Sequence, residues 1–351
     1  MQCCQYLCIA GGRTAPPDTV GTMTEESLPT IQHAVRVDVS GGPEVLEWTE
    51  VPVPRPGPGE VLVRTAAAGL NFIETYQRSG VYRMSHPFIP GSEGSGTVVA
   101  LGEGVEEVSP GDVVATAAGS GTYAEYFTAP AGQLLPVPAG VDPVAAAAIP
   151  LQGMTAHYLC RSTYPVESGQ TVLVHAGAGG VGLLLTQLCV ARGATVITTA
   201  STPEKKELSR QAGASEVLDY TGFAARVREL TGGEGAHAVF DGVGRDTFDE
   251  SLDSLRVRGT LVLFGGSSGQ VPPFDLQRLN GAGSLYVTRP SLAYYTRTTE
   301  ETRWRAEELF AAHGAGTLHF RVGATYPLSE AGRAHADLES RRTTGKSLLL
   351  P

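Results

Sequence analysis

A glycine-rich octapeptide offers the first chemistry in this sequence. HAGAGGVG, residues 175–182, directly follows the apolar run TVLV and contains Gly177, Gly179 and Gly182. The first of these glycines permits a tight turn, the second lets a pyrophosphate approach the backbone, and the third lets a helix pack closely on the preceding strand. The N-terminus of that helix would present N–H groups and a partial positive charge to the phosphates. The pattern predicts a dinucleotide site, and the alternative is a purely structural turn.

The segment after the next predicted strand, TVITTA, favours one of the two nicotinamide dinucleotides. A site for NAD carries an Asp or Glu about 20 residues beyond the glycines, where the carboxylate binds ribose hydroxyls. Here Ser201 and Thr202 occupy that place, followed by Lys205. A hydroxyl and an ammonium bind a 2′-phosphate through charge-assisted hydrogen bonds, whereas a carboxylate would repel it. The segment therefore predicts NADP(H), unless Lys205 is merely an exposed lysine on a charged helix.

The elements around these motifs alternate between strand and helix. Residues 171 to about 288 read as apolar strands such as TVLVH, TVITTA and TLVLFGG, separated by amphipathic helices such as GVGLLLTQLCVARG, PEKKELSRQAG and DTFDESLDSLRVRG. Buried strands alternating with helices are typical of a parallel sheet covered on both faces. This stretch is predicted to be a doubly wound Rossmann domain, which gives the octapeptide the context that its function requires.

The stretch before that domain has a different character. From about residue 31 to 150, short β-like runs alternate with Gly and Pro, which predicts a compact, mostly β, barrel-like domain. VPVPRPGPGE reads as an extended connector, and DPVAAAAIPLQGMTAHYLC favours helix. The tail predicts helices near 300–313 and 328–340 and a closing strand, KSLLL, that returns to the first domain. The predicted divisions are an extension (1–29), a β-rich domain (30–152, completed by 289–351) and a Rossmann domain (153–288).

Composition and charge narrow the class of protein. The chain has 351 residues and a formal charge of −10, without a dense Lys/Arg run, so nucleic-acid and anionic-membrane partners are disfavoured. It contains no apolar stretch of the roughly 20 residues that a bilayer span needs. The five cysteines (Cys3, Cys4, Cys8, Cys160 and Cys189) form no disulfide framework. A soluble cytoplasmic protein is predicted, with a leader that is a flexible extension or precedes a true start at Met23.

The order of domains and motifs resembles the medium-chain dehydrogenase/reductase superfamily. Zinc-dependent members have a metal-binding Cys in the loop here written AAAGLNFIE and a His in the segment here written GSEGSG. This sequence has Asn71 and Ser92 at those places and lacks the four closely spaced cysteines of the structural zinc lobe. An amide and a hydroxyl do not replace thiolate and imidazole on Zn²⁺. No metal is therefore expected.

Within that superfamily the sequence resembles the zinc-free quinone oxidoreductases. The matching segments are NFIETYQRSGVY (71–82), HAGAGGVG, DGVGRDTFDESLD (241–253), FGGSSG (264–269), GSLYVTRPSL (283–292) and the ending SLLLP. The resemblance covers residue 31 to the C-terminus and implies a GroES-like β-rich catalytic domain joined to a Rossmann NADP-binding domain.

The resemblance also implies a set of cofactor contacts. Asn71 and Thr155 would lie near the nicotinamide, Lys205 and Arg341 near the adenosine 2′-phosphate, and Gly242 stands where relatives often have Ser. The full implied set is Asn71, Thr155, Gly179, Gly180, Val181, Ser201, Lys205, Tyr220, Phe264, Gly265, Ser267, Ser268, Val287, Thr288 and Arg341.

The expected chemistry is hydride transfer from NADPH to a quinone without a metal, because the cofactor itself carries the reaction. Asn71, Tyr76 and Tyr82 are the candidates to stabilise the developing oxyanion, and both tyrosines could instead be walls of the pocket. Reduction of the double bond of enones or alkenals is the alternative in the same class. An RNA-binding or structural protein that holds NADPH, and an NADPH sensor, are alternatives from other classes. A homodimer paired through the SLYVTRP edge strand is expected.

Overall fold

The computed structural model of the chain describes residues 28–351. The cysteines at positions 3, 4 and 8, Met23 and most of the predicted extension therefore lie outside the described residues. The strands are β1 (Ile31–Arg36), β2 (Glu47–Pro52), β3 (Glu60–Leu70), β4 (Gly94–Leu101), β5 (Val113–Thr116), β6 (Tyr126–Pro130), β7 (Leu135–Pro136), β8 (Thr171–Val174), β9 (Thr195–Thr199), β10 (Glu216–Leu218), β11 (Ala236–Asp241), β12 (Leu255–Leu263), β13 (Tyr286–Thr288), β14 (Val322–Pro327) and β15 (Lys346–Leu350).

The helices connect and cover these strands. They are α1 (Phe72–Arg78), α2 (Pro143–Ala146), α3 (Pro150–Tyr158), α4 (Gly180–Ala191), α5 (Pro203–Gln211), α6 (Phe223–Leu230), α7 (Phe248–Asp253), α8 (Gln277–Gly281), α9 (Thr299–Gly314) and α10 (Ala331–Glu339). A π-helical turn, Leu159–Thr163, continues α3.

The β-rich part of the chain contains a seven-stranded sheet with the order β14-β15-β3-β4-β5-β7 and with β6 paired to β3. Its pairs are antiparallel except β14 with β15. The strand predicted from KSLLL is β15, and its pairing with β3 places the C-terminal segment in this sheet. β1 and β2 form a separate two-stranded sheet.

The second large sheet has six parallel strands in the order β10-β9-β8-β11-β12-β13. Counted from β8, this order is 3-2-1-4-5-6, the doubly wound arrangement predicted from the sequence. The order reverses between β8 and β11, and such a reversal opens a crevice at the carboxyl ends of the strands. The HAGAGGVG loop joins β8 to α4 at that point.

One core cluster joins the two sheets around this crevice. It combines Leu135 and Ile149 from the β-rich part with Val172 and Leu184 from the parallel sheet and α4, and with Leu309 from α9. Each of these side chains is at most 3% exposed. Apolar burial therefore fixes the walls of the crevice relative to each other.

Three local predictions differ from the structure. The helix predicted over DTFDESLDSLRVRG ends at Asp253, because Leu255 pairs with Ala236 of β11 and begins β12. The helical segment before residue 160 is split into α2 and α3, with Pro150 at the first position of α3. The proline-rich connector begins within β2, which tolerates Pro52 because that proline ends a strand with a single partner.

Candidate active site

A cavity of about 990 Å³ lies along the crevice and has walls from both sheets. Most of the predicted site residues line it. They are Asn71, Tyr76, Tyr82, Thr155, Gly179, Gly180, Val181, Ser201, Lys205, Tyr220, Phe264, Gly265, Ser267 and Arg341. The sequence motifs, which span residues 71 to 341, therefore converge on one continuous space.

Three of the predicted residues are not part of the cavity wall. Val287 and Thr288 are the last two residues of β13, and the next residue, Arg289, is part of the cavity wall. Ser268 is buried, and its hydroxyl donates to the carbonyl of Val243 at 2.8 Å and accepts from the N–H of Asp246 at 3.0 Å. In this structure Ser268 ties together the loops after β11 and β12.

The glycine loop has the shape that a phosphate site requires. A Cβ on Gly177 would lie 2.7 Å from the Cβ of Thr198, and one on Gly182 would lie 2.2 Å from the carbonyl oxygen of Ala176. Gly179 caps α4 without a side-chain hydrogen bond, and residues 180–182 of the first turn, whose N–H groups have no partner within the helix, line the cavity. The loop therefore fits a dinucleotide pyrophosphate by close backbone approach.

Two cations meet at one end of the cavity, which we call the cation pair: Lys205 and Arg341. The ammonium of Lys205 donates to the backbone carbonyl of Arg341. Burial first, and the charge of Arg341 second, lower the pKa of Lys205. Arg341 also holds a left-handed backbone with φ of 59°. Like charges held together in a strained conformation are typical of an anion site.

The hydroxyls predicted beside this end have separate roles. The side chain of Thr202 accepts a hydrogen bond from the N–H of Lys205 and so caps α5. Ser201 lines the cavity together with Tyr220. No Asp or Glu of the described chain lines the cavity, so nothing in its wall opposes a phosphate. The residues present therefore fit NADP(H) at this end.

A buried carboxylate shapes the loops over the crevice. Asp241, at the end of β11, accepts hydrogen bonds from the N–H groups of Val243 and Gly244 and from the hydroxyls of Thr247 and Ser251, all within 3.0 Å. These four donors fix the loop after β11. Asp241 was not among the predicted residues, although a carboxylate that ends an apolar strand is a visible signal.

The glycine at position 242 has a packing reason. A Cβ there would lie 2.8 Å from the ring of Phe264, which lines the cavity. A serine at this position would collide with that ring in its observed place. The absence of a side chain at Gly242 therefore allows Phe264 to pack closely against this loop.

The other end of the cavity, which we call the acceptor end, is aromatic. The rings of Tyr76 and Tyr82 meet edge-on with centroids 5.5 Å apart. Burial raises the pKa of Tyr76, and the neighbouring Tyr82 raises it further, while the charge of Arg289 and the N–H of Gly266 oppose the rise. The Tyr76 hydroxyl is therefore protonated at neutral pH and can donate a hydrogen bond.

The amide of Asn71 is held by a buried group of charged residues. Its Nδ2 donates to Glu93 Oε2 at 3.0 Å and to the carbonyl of Gly69 at 3.3 Å, and its Oδ1 accepts from Lys346 at 2.6 Å. The orientation of the amide follows from chemistry, because an ammonium can only donate. Both N–H hydrogens are thus used within the protein. The Asn71 amide lines the cavity with no spare donor, and its oxygen is engaged by Lys346.

The network that holds Asn71, which we call the Lys346 cluster, consists of Lys346, Glu93, Glu74 and Asn71. Lys346 and Glu93 form an ion pair and are at most 1% exposed. The other carboxylate oxygen of Glu93 accepts from the N–H of Leu151 at 2.7 Å. Glu74 accepts from the N–H of Asn71 at 2.9 Å and thereby caps α1. The ammonium of Lys346 thus contacts Glu93 and acts on Glu74 only through its charge.

Burial acts on the second carboxyl group of the Lys346 cluster, Glu74. Burial raises its pKa to about 7, and Lys346 only partly offsets the rise. Its Oε1 has no hydrogen-bond partner among the described residues. Ionising Glu74 therefore places a second negative charge beside Glu93 in a buried site, which is unfavourable.

We expect Glu74→Gln to remove a pH dependence of stability. A carboxyl group with a pKa higher in the folded chain than in the unfolded chain lowers the free energy of unfolding as pH rises between the two values, here from 4.5 to about 7. At pH 8 the variant should be more stable than the parent by on the order of 2 kcal/mol, and at pH 4 the two should be equal. Urea unfolding at both pH values measures this difference. A variant that is less stable at pH 8 would contradict the assignment.

Three important residues of the site were not predicted. Lys346 stands alone among apolar residues in the strand KSLLL, and a lone charge in a buried strand signals a buried partner. Glu93 lies 253 positions away, so no local pattern connects the two. Arg289 follows the carboxyl end of β13 and lines the acceptor end.

Within residues 28–351, no group of three or more His, Cys, Asp or Glu side chains is placed to hold a metal ion. Ser92, like Asn71, lines the cavity. None of the helices in the described part of the chain combines the length and apolar character that crossing a bilayer would take.

The fold and the cavity define a dinucleotide-dependent oxidoreductase with a GroES-like domain and a Rossmann domain. The family described as "Alcohol dehydrogenase GroES-like domain" matches residues 57–139, and that described as "Zinc-binding dehydrogenase" matches residues 180–308. The fold class predicted from the sequence is confirmed.

Comparison with known proteins identifies the family. A quinone oxidoreductase of Pseudomonas aeruginosa is 47% identical over 317 residues, covering 89% of this chain and 97% of the relative. A 2-haloacrylate reductase of a Burkholderia species is 40% identical, with 91% and 98% covered. A mycobacterial protein solved in complex with NADPH is 56% identical, with 91% and 100% covered and a TM-score of 0.90. The chain belongs to the quinone oxidoreductase family of the medium-chain dehydrogenase/reductase superfamily. The NADPH in that mycobacterial structure agrees with the cofactor predicted from the sequence.

Proposed function

We propose that this protein uses NADPH to reduce quinones by hydride transfer. The observation that carries the proposal is the single cavity, which joins a glycine loop and a cation pair at one end to an aromatic acceptor end at the other. The first end fits a phosphorylated dinucleotide, and the second end offers flat apolar walls to a flat conjugated ring.

Different residues of the cavity would bind the phosphates and cover the dinucleotide. The first turn of α4 and the cation pair would hold the phosphates, and Phe264, Gly265 and Ser267 would cover the dinucleotide. Bound NADPH supplies a hydride, which is two electrons and one proton, and a proton from water completes the hydroquinone. The protein supplies position and excludes water.

The groups proposed to stabilise the new oxyanion differ in what they can offer. Tyr76 and Tyr82 each have a hydroxyl that can donate to a substrate oxygen. Asn71 has both N–H hydrogens engaged and its Oδ1 accepts from Lys346, so its role is to form the cavity wall proposed to lie near the nicotinamide. We therefore assign oxyanion stabilisation to the tyrosines before the amide.

Reduction of a conjugated carbon–carbon double bond is the second candidate, and the 2-haloacrylate reductase relative favours it. The same hydride reaches the same kind of acceptor, so the two functions share one geometry. Steady-state oxidation of NADPH with benzoquinone, a naphthoquinone and a short enone separates them. We expect kcat/KM for the quinones to exceed that for the enone at least tenfold.

The same assay tests the proposal as a whole. NADPH that binds but is not oxidised with any acceptor would identify a sensor or binding protein instead of an enzyme. Assays with and without a chelator test the expectation of metal-free turnover, which stays a prediction. RNA retention at physiological salt tests the RNA-binding alternative.

We further propose a homodimer and a cytoplasmic location. β13 ends the parallel sheet, and Tyr286 on it is 62% exposed. Pairing this edge with a second copy would cover its free backbone groups. Light scattering of the purified protein tests the dimer.

A further inference from the structure

The charged groups in the cavity wall exceed what the cofactor needs. The cavity lining contains three lysine or arginine side chains (Lys205, Arg341 and Arg289) and no carboxylate of the described chain. The cation pair matches a 2′-phosphate, and the first turn of α4 matches the pyrophosphate. Arg289 is thus left without an anionic group of the cofactor to bind.

Arg289 lies at the acceptor end. It is the first residue after the carboxyl end of β13, and the wall continues from it through Pro290, Ser291 and Leu292. Its charge acts on the hydroxyls of both Tyr76 and Tyr158, which also line the cavity. The guanidinium therefore stands beside the space where the acceptor ring is proposed to bind.

The hydrogen bonds of Arg289 are mostly unused. Its Nη1 donates to the carbonyl of Pro290 at 3.3 Å. No carboxylate within residues 28–351 lies within 4.0 Å of the guanidinium. The side chain is exposed, so its remaining donors are open to a ligand in the cavity.

We propose that Arg289 binds an anionic substituent of the acceptor, so that the enzyme prefers conjugated acceptors carrying a carboxylate or a sulfonate. A planar guanidinium binds such groups through two parallel hydrogen bonds, which fixes the orientation of the ring as well as its charge. The apolar side chains of Ile73, Met154 and Leu292 would contact the ring itself. This inference rests on the proposed hydride transfer to a conjugated acceptor.

A matched pair of acceptors tests the inference. Menadione is a neutral naphthoquinone, and 1,4-naphthoquinone-2-sulfonate presents a similar ring with a negative charge. In Arg289→Gln, we expect kcat/KM for the sulfonate to fall about tenfold and that for menadione to fall less than about twofold. Comparing each variant with the parent cancels the different reduction potentials of the two quinones.

Equilibrium binding gives a readout that needs no turnover. Calorimetric titration of the sulfonate into the protein saturated with NADP⁺, which would occupy the cation pair and has no hydride to transfer, should give a Kd about tenfold higher for Arg289→Gln than for the parent. Arg297→Gln is the control, because it removes the same charge eight residues away, from a position outside the cavity wall. This control should leave kcat/KM for both quinones and the Kd of the sulfonate unchanged.

The outcomes separate this inference from the function on which it rests. Equal losses of kcat/KM for both quinones would assign Arg289 to the reacting oxygens and overturn the preference for anions. Unchanged kcat/KM for the sulfonate would also overturn that preference. If the parent oxidises NADPH with neither quinone, the proposed function fails. The calorimetric titration then still decides whether Arg289 binds the anion.

Discussion

Lys205→Met is expected to lower kcat/KM for NADPH about 30-fold while changing that for NADH less than about twofold. The substitution keeps the apolar length of the side chain and removes the ammonium that approaches Arg341 at the proposed 2′-phosphate site. One hydrogen bond to a charged group contributes about 2 kcal/mol, and this free energy sets the factor of 30. NADH lacks the 2′-phosphate, so the loss of this hydrogen bond should not change kcat/KM for NADH.

The neighbouring lysine is a matched control for this experiment. Lys206 lies on the same helix, but its ammonium pairs with Asp219 at 2.8 Å, and it does not line the large cavity. Lys206→Met should leave the preference for NADPH over NADH within about twofold of the parent. Equal losses for NADPH and NADH in Lys205→Met would contradict the assignment of the 2′-phosphate to the cation pair.

Lys346→Met is expected to lower the free energy of unfolding by about 3 kcal/mol. The substitution removes the ammonium that Glu93 and Asn71 share, and the Glu93 carboxylate stays fully buried. A buried charge that loses its partner keeps its cost of desolvation without the compensating attraction. Chemical unfolding of the parent and the variant at pH 7 measures the difference.

A second substitution distinguishes the lost ion pair from lost packing. In Lys346→Met combined with Glu93→Gln, no charge of the pair is left buried, and we expect at least half of the lost stability to return. Glu330→Gln is the surface control, because it breaks an exposed pair with Arg333 and should cost less than about 1 kcal/mol. If Lys346→Met cost no more than this control, the Lys346 cluster would not be a buried ion pair in solution.

Much of the candidate site could be predicted because its signals are local. The spacing of glycines 177, 179 and 182 is readable within eight residues, the requirement at Gly182 comes from Ala176 in the same loop, and the missing acid after TVITTA is a property of a few successive residues. The alternation of strand and helix follows from the periods of the two elements. The boundaries were less accurate where strand pairing overrode a helical pattern, as at Leu255.

The sequence alone determined the doubly wound fold and the kind of cofactor, because short-range steric and charge requirements specify both. Only the tertiary structure decided that the amide of Asn71 is occupied, that Lys346 balances Glu93, and that Arg289 faces the acceptor end. These facts depend on contacts between residues hundreds of positions apart. Such contacts arise from the packing of whole sheets, which no local sequence pattern encodes.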